Sequence, residues 1–397
     1  MRVLFLTPRL PYPPDRGGEI IIFNFLKHLS KCHEVAVVSF YDRPEDLANR
    51  APLLDYCVRV DAVPRPGKLS AGVLLRCLGG SSYSIARHTS QAYRRAVHDV
   101  VREFRPDVAQ IEIFFMGTYL GELTGIPTVL HMHDVTWVMW DRMAEVTRPG
   151  LRSLIALEAA RIRRDELRIC RAVNVCVPVS ETDQRRLLEA AGGSVRSTVV
   201  VPGVDAGAFA PVDPVDSTHD LVFVGSMHYL PNVDAAEFFV RDVLPLVARE
   251  IPDVTFTIVG TRPSAAVRRL AADPRVRVTG AVPDVRPYYA AAAATVVPLR
   301  IAGGVRMKIL EAMALAVPIV STTIGAEGLG LTNGGELLLA DGAQGLAGAA
   351  IRVLRDPGLR RKLATSARAA AERRSWQAVG ASLEAVYDSI LPSRPPG

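Results

Sequence analysis

Three charged residues stand in the otherwise apolar run GGVRMKILEAMALAVPIVST, 303–322: Arg306, Lys308 and Glu311. Charged side chains seldom stay on an apolar helix without partners. Gly303 and Gly304 predict a helix start at about Val305, with Arg306 in its first turn. Lys308 and Glu311, three apart, then share one face. Two cations at the positive end of a helix dipole suit a diphosphate. A carboxylate one turn deeper suits sugar hydroxyls. The competing reading is an i,i+3 salt bridge on a solvated face, and Ile309, Leu310, Met313, Ala314 and Leu315 argue against it.

Three other stretches could do chemistry. In HMHD, 131–134, His131 and His133 fall on one face of a strand. An imidazole at a strand's carboxyl end can hydrogen-bond a substrate hydroxyl or meet a developing charge. His133 reads as functional and His131 as a buried structural histidine. A metal pair lacks a third ligand nearby in sequence. In PRLPYPPDRGGE, 8–19, Gly17 and Gly18 precede a helix, either as a close-approach loop for an anion or as a turn. No G-x-G-x-x-G occurs there, which counts against a dinucleotide dehydrogenase. In FVGSMHYLPN, from Phe223, Gly225 and Ser226 follow a strand directly, and Pro231 with Asn232 opens the next helix.

These groups need elements to hold them, and strand-like and helix-like segments alternate twice along the chain. The first series is 2–7, 34–40, 57–63, 107–112, 127–134, 173–180 and 197–205, with helices over 19–30, a basic pair over 69–104 and a long charged helix over 151–170. The second is 220–226, 254–260, 275–280, 293–299 and 317–322, with helices over 234–249, 305–315, 343–355, 357–373 and 377–391. Short β-branched runs separated by helices predict parallel sheets covered on both faces. The Pro- and Asp-containing stretch 205–220 reads as a linker. The predicted architecture is α/β, two doubly wound Rossmann-like domains facing across a cleft. The boundaries are 1–205, 206–375 and a final helix, 376–397, returning toward the first domain. Ligands of such sheets bind beyond the carboxyl ends of the strands.

Composition agrees with this frame. A chain of 397 residues exceeds one ordinary core, and 49% hydrophobic with 22% charged residues fits a globular protein. The formal charge of +6 is modest, so nucleic acid is not an expected partner. Five scattered cysteines without C-x-x-C read as reduced thiols in a cytoplasmic protein. The N-terminal apolar run is a strand rather than a signal peptide, and no window spans a membrane.

With these residues in view, the run 303–322 resembles the donor-binding segment of family 4 glycosyltransferases, retaining enzymes of the GT-B fold. DRGGE, the HD at 133–134, PVSETDQRRL, PGVD, LVFVGS, TIVG, GAEGL and the late RRSWQAV fit in the same order. The pattern GG-x-R-x-K-x-x-E-A-M-A is similar to a branch tied to exopolysaccharide synthesis. The resemblance implies a nucleoside-diphosphate sugar as donor, bound mainly by the second domain, and an acceptor met mainly by the first. Catalysis falls to His133, Arg306 and Lys308. Donor binding falls to Gly17, Gly18, Gly225, Ser226, Val282, Gly303, Gly304, Val305, Leu310, Glu311 and Glu327. No metal and no separate cofactor are expected. The family's E-x7-E pair is incomplete, because Glu311 matches the second glutamate while Gly303 stands at the first. Nor does GSMHYLPN carry the Arg and Lys usual in that loop. A GT-B sugar-nucleotide epimerase and a non-catalytic sugar-nucleotide binder remain the alternatives. The acceptor stays open among a lipid-linked sugar, a polysaccharide end and a small molecule. The arginine-rich helices over 69–105 and 152–172 suit either an anionic inner-membrane surface or ion pairing on solvated faces.

Overall fold

The computed structural model describes residues 1–211 and 219–391. The linker reading over 205–220 therefore falls partly outside the described residues.

The chain divides into two compact units. Met1–Pro202 and the stretch from Trp376 form one, and Gly203–Ser375 the other. The first unit holds strands β1 (Arg2–Thr7), β2 (Glu34–Tyr41), β3 (Arg59–Pro64), β4 (Val108–Glu112), β5 (Thr128–Met132) and β6 (Val175–Pro178). They form a sheet in the order β3-β2-β1-β4-β5-β6, with every pair parallel. The second unit holds β7 (Asp220–Val224), β8 (Thr255–Val259), β9 (Val276–Gly280), β10 (Ala294–Val297), β11 (Ile319–Ser321) and β12 (Leu338–Leu339). Its order is β12-β11-β10-β7-β8-β9, again all parallel. Counted within each unit, both orders are 3-2-1-4-5-6, the doubly wound Rossmann-like arrangement. The sequence dictates it through runs such as Val3–Leu6 and Leu221–Val224, buried on both faces because helices cover both.

Four local expectations change. The basic pair over 69–104 is three helices, Ala71–Leu78, Tyr83–His88 and Gln91–Phe104. Gly79 and Gly80 end the first, and the hydroxyls of Ser82 and Ser90 cap the next two by accepting from Ile85 and Tyr93 N–H. The segment 197–205 is no strand. Thr198 and Val200 donate to carbonyls of Cys176 and Pro178, only a bridge at Ser197 qualifies, and Pro202 cannot donate onward. The helix read over 234–249 spans Leu230–Glu250, with a π-turn at Phe239–Val243 just before Pro245, which lacks an N–H. The helix expected from Val305 is Met307–Ala314, so Arg306 is its N-cap rather than part of the first turn. Gly304, at φ +65°, turns the chain, and Arg306 remains extended at φ −90°, ψ 98°. The helices Thr136–Val146 and Glu181–Ala191 have no counterpart in the sequence reading.

Helix Trp376–Asp388 belongs to the first unit and packs on helix Gly17–Leu29. Trp376 meets Phe25 edge-on at 6.3 Å, and Glu384 bonds His28 and His33 at 3.3 and 2.8 Å.

Candidate functional site

In the second unit the site grows from the carboxyl end of β7. Gly225 and Ser226 follow Val224 there, and Lys308, in the first turn of helix Met307–Ala314, reaches the same point. Its Nζ donates to Asn232 Oδ1 at 2.8 Å and lies 4.3 Å from the Phe223 ring centroid. Asn232 is buried and donates to the Ser226 carbonyl at 3.1 Å. A Cβ on Gly225 would stand 2.8 Å from both Lys308 Nζ and Asn232 Nδ2, so any side chain there would displace the ammonium. Lys308 thus lies between the N-termini of helices Leu230–Phe238 and Met307–Ala314, where the positive ends of the two helix dipoles favour an anion.

The electrostatics of this corner are unbalanced. Burial pushes the Lys308 ammonium down to about 7, with Glu311 opposing and Arg306 adding to the shift. Burial raises Glu311, against the pull of Lys308. The two do not close the i,i+3 salt bridge, since the ammonium turns to Asn232 instead. Glu311 is left as an acceptor without a hydrogen bond among the described residues, as a site for hydroxyls requires.

Arg306 has another task. Its Nε donates to the Gly325 carbonyl at 3.0 Å, Nη1 to Gly303 at 3.0 Å and Nη2 to Glu327 at 2.9 Å. Buried and held by three carbonyls, the guanidinium ties the glycine turn 303–304 to the segment 325–327. In this structure Arg306, expected as a diphosphate cation, shapes the loop that precedes Lys308. Leu310, expected beside the donor, has its side chain buried in the core. Val305 and Glu327 are half-buried beside the Arg306 cluster, and Val282 lies two residues beyond β9 at the sheet's carboxyl edge.

In the first unit the sheet register sets Glu112, the last residue of β4, opposite His131 of β5. Glu112 Oε2 accepts from His131 Nδ1 at 2.8 Å and from His133 Nε2 at 2.7 Å. Burial alone would raise the Glu112 carboxyl, but the two imidazoles hold it down to about 2. An ionised carboxylate only accepts, so the ring nitrogens that face it carry protons. His131 Nε2 is buried with no partner, and the ring nitrogen of His133 turned away from Glu112 is Nδ1. That Nδ1 faces Gly18, where a Cβ would come within 2.8 Å. Gly17 opens the helix beside it. Burial lowers His131, which packs edge-on against Phe25 at 5.1 Å. Gln110 Nε2 donates to Glu112 Oε1 at 2.5 Å, and Tyr387 of the last helix donates to Gln110 Oε1.

Glu112 supplies the third donor that sequence proximity did not offer. Its ligand atom and those of His131 and His133 lie within 4.8 Å of one another, which makes them the described residues able to hold a divalent cation. In the arrangement seen, both ring nitrogens instead bond one carboxylate oxygen. Sequence reading missed Glu112 as a partner, and Asn232 and Phe223 as the seat of Lys308. The one available signal was a carboxylate ending a buried strand.

Two family models match the chain. Residues 16–207 match the model described as Glycosyltransferase Family 4, and residues 218–356 the model described as Glycosyl transferases group 1. Over 312 residues the chain is 30% identical to a D-inositol 3-phosphate glycosyltransferase of Acidothermus cellulolyticus, covering 70% of this chain and 65% of that one. Over 225 residues it is 29% identical to a phosphatidyl-myo-inositol mannosyltransferase of Mycolicibacterium smegmatis, covering 54% and 57%. The match thus spans less than two thirds of either relative. Among solved structures, HepE of Anabaena in complex with UDP aligns with a TM-score of 0.71 at 16% identity, over 98% of this chain and 100% of that one. Sucrose-phosphate synthase from Thermosynechococcus elongatus aligns with a TM-score of 0.76 at 17% identity, over 98% and 99%. With a family 4 glycosyltransferase model matching residues 16–207, a group 1 glycosyltransferase model matching residues 218–356 and both sheets wound alike, the chain is a glycosyltransferase of the GT-B fold, family 4-like.

Proposed function

We propose that the chain transfers a sugar from a nucleoside-diphosphate donor to an acceptor hydroxyl, with retention at the anomeric carbon. The observation that carries this reading is the ammonium of Lys308, seated beside Gly225 between two helix N-termini. The solved HepE complexes, described as containing UDP and UDP-glucose, support a nucleotide sugar as donor. The bond from the anomeric carbon to the β-phosphate oxygen breaks, and the diphosphate leaves with the electron pair. Lys308 and the helix N–H groups meet its charge. The acceptor oxygen bonds the same face of the sugar and passes its proton to the departing phosphate. Glu311 accepts from the ribose hydroxyls. His133, with Gly17 and Gly18 at its side, contacts the donor sugar. The reaction is read as needing no metal and no separate cofactor, and the product as belonging to polysaccharide or glycolipid synthesis. Consumption of a nucleotide sugar with release of its diphosphate, lost in Lys308→Met, tests this reading.

A second observation favours work at a membrane surface. No described helix is long and apolar enough to cross a membrane. Yet Leu69, Leu74, Leu75 and Leu78 are 47–83% exposed, as are Leu151, Leu154 and Leu157 at 51–63%. The two sets adjoin, since Glu158 accepts from Tyr83 N–H and Arg164 donates to the Gly80 carbonyl. Of the acids that were to offset the arginines of the long helix, Glu166 is buried and accepts from Thr136 N–H, while Asp165 accepts from Ser82 N–H and, among the described residues, pairs with Arg164 alone. Arg76, Arg152 and Arg161 thus flank exposed leucines, as in a shallowly inserting basic surface.

A further inference from the structure

The carboxyl ends of β1, β2 and β3 carry a second charged cluster, apart from Glu112, His131 and His133. Arg9 lies two residues beyond β1, Asp42 directly after β2, and Arg65 directly after β3. These strands are neighbours in the sheet, so the three residues meet at one edge. Arg87, from helix Tyr83–His88, joins them. All three guanidinium groups turn to one carboxylate: Arg9 Nη2 lies 2.9 Å from Asp42, Arg65 Nε 3.2 Å and Arg87 Nη2 3.7 Å. One carboxylate cannot neutralise three guanidinium groups.

The surroundings add no compensating anion. Arg65 Nη1 donates to His88 Nε2 at 3.1 Å, and His88 Nδ1 donates to the Ser84 carbonyl at 2.8 Å, so this imidazole is neutral. Arg16, 3.7 Å from Glu19, brings a fourth cation. Glu19 also lies 3.5 Å from Arg9, but burial and a hydrogen bond to Asp15 push its carboxyl up to about 8. Near neutral pH, four arginines therefore face only Asp42 and Asp15. One donor is left over inside the cluster and another is poorly satisfied. Arg87 Nη1 is buried without a hydrogen bond, and Arg65 Nε meets Asp42 only as an ion pair at 3.2 Å, outside hydrogen-bond geometry, on side chains that are 12% and 10% exposed. Buried guanidinium donors without an acceptor are costly, and a tetrahedral oxyanion would satisfy several at once.

We propose that Arg9, Arg65 and Arg87 form a receptor for a phosphate monoester on the sugar acceptor. This rests on the glycosyl-transfer reading above, and it narrows the acceptor to a phosphorylated molecule. The phosphate belongs either to a soluble sugar phosphate or to a lipid headgroup; guanidinium groups from two strand ends and one helix recognise the same monoester oxygens in both.

The test uses the full chain, with UDP binding measured alongside as a check on the second unit. Glucose 6-phosphate serves as the soluble probe, and phosphatidylinositol 4-phosphate, whose headgroup carries a monoester, in zwitterionic vesicles as the lipid probe. Expected is binding of at least one probe that persists under saturating UDP, and that falls at least tenfold in Arg87→Gln and in the more exposed Arg9→Gln. Both variants should keep the wild-type circular dichroism and unfolding transition, which shows that the first unit folds, and wild-type UDP affinity, which shows that the second does. Binding of the soluble probe assigns a sugar phosphate, and binding of the vesicle alone assigns a lipid phosphate. The proposal is overturned if neither probe binds, if UDP displaces the probe, or if both variants bind it as the wild type does. UDP failing to bind the wild type would count against the glycosyl-transfer reading instead.

Discussion

Raising the pH above neutrality should weaken diphosphate binding, because the cation that receives it is already losing its proton. Burial leaves Lys308 titrating at about 7 in the free protein. A bound diphosphate places negative charge beside Nζ and favours the protonated form, so binding and protonation are linked. At pH 7 about half of the free protein carries the ammonium, and at pH 9 about one molecule in a hundred. Affinity should therefore fall about fifty-fold between these values, or roughly 2.3 kcal/mol. The ligand contributes little to this trend, since a terminal phosphate titrates near 6. Calorimetry in two buffers of different ionisation enthalpy reads the proton directly: uptake of about half a proton at pH 7, approaching one at pH 9. Lys308→Met should bind more weakly at pH 7 and lose the slope. An affinity that stays flat from pH 7 to 9, with no proton taken up, would refute the argument and place the diphosphate away from Lys308.

Other outcomes follow from the same geometry. Arg306→Ala strips three carbonyls of a buried charged partner, so it should cost about 3–5 kcal/mol of stability in denaturant unfolding, and Arg306→Lys should not restore the loss. If Arg306→Ala unfolds as the wild type does, the guanidinium does not hold the loop. Glu311→Gln should weaken UDP itself roughly ten- to a hundredfold in calorimetry, and unchanged affinity would remove Glu311 from the ribose. Glu112 lies well below its ordinary 4.5, so the stabilisation it provides is present above that value and is lost as pH falls toward about 2. The stability gap between wild type and Glu112→Gln should therefore close over that window in acid titrations followed by circular dichroism. Flotation with anionic vesicles should recover the protein at low salt. Leu75→Ser with Leu154→Ser should abolish recovery, and equal recovery of that variant would exclude the leucine surface.

What the sequence discloses and what it hides divide along physical lines. Buried parallel strands announce themselves as β-branched runs, so Val3–Leu6 or Thr255–Val259 can be read directly, and with them the two doubly wound sheets. Gly225 and Lys308 are also legible, because a glycine at a strand end and a cation on an apolar helix each contradict their surroundings. Contacts made across the sheet leave no local trace. Nothing near His131 names Glu112; only the register of β4 against β5 brings them together. Arg306 reads as a ligand cation until the two-residue delay of its helix turns the side chain onto Gly303, Gly325 and Glu327. The strand expected over 197–205 fails for a similar reason, since an apolar run needs a partner as well as a pattern.

The most direct test of the central claim is to follow sugar transfer itself. The full chain is incubated with each of a panel of UDP-, GDP- and ADP-sugars together with a phosphorylated acceptor. The new anomeric centre is then assigned by proton NMR and the released diphosphate is counted. The account predicts that one donor is consumed with an equal amount of nucleoside diphosphate, that its anomeric configuration is kept in the product, and that Lys308→Met loses both signals. Transfer with inverted configuration, or turnover undiminished in Lys308→Met, would contradict it.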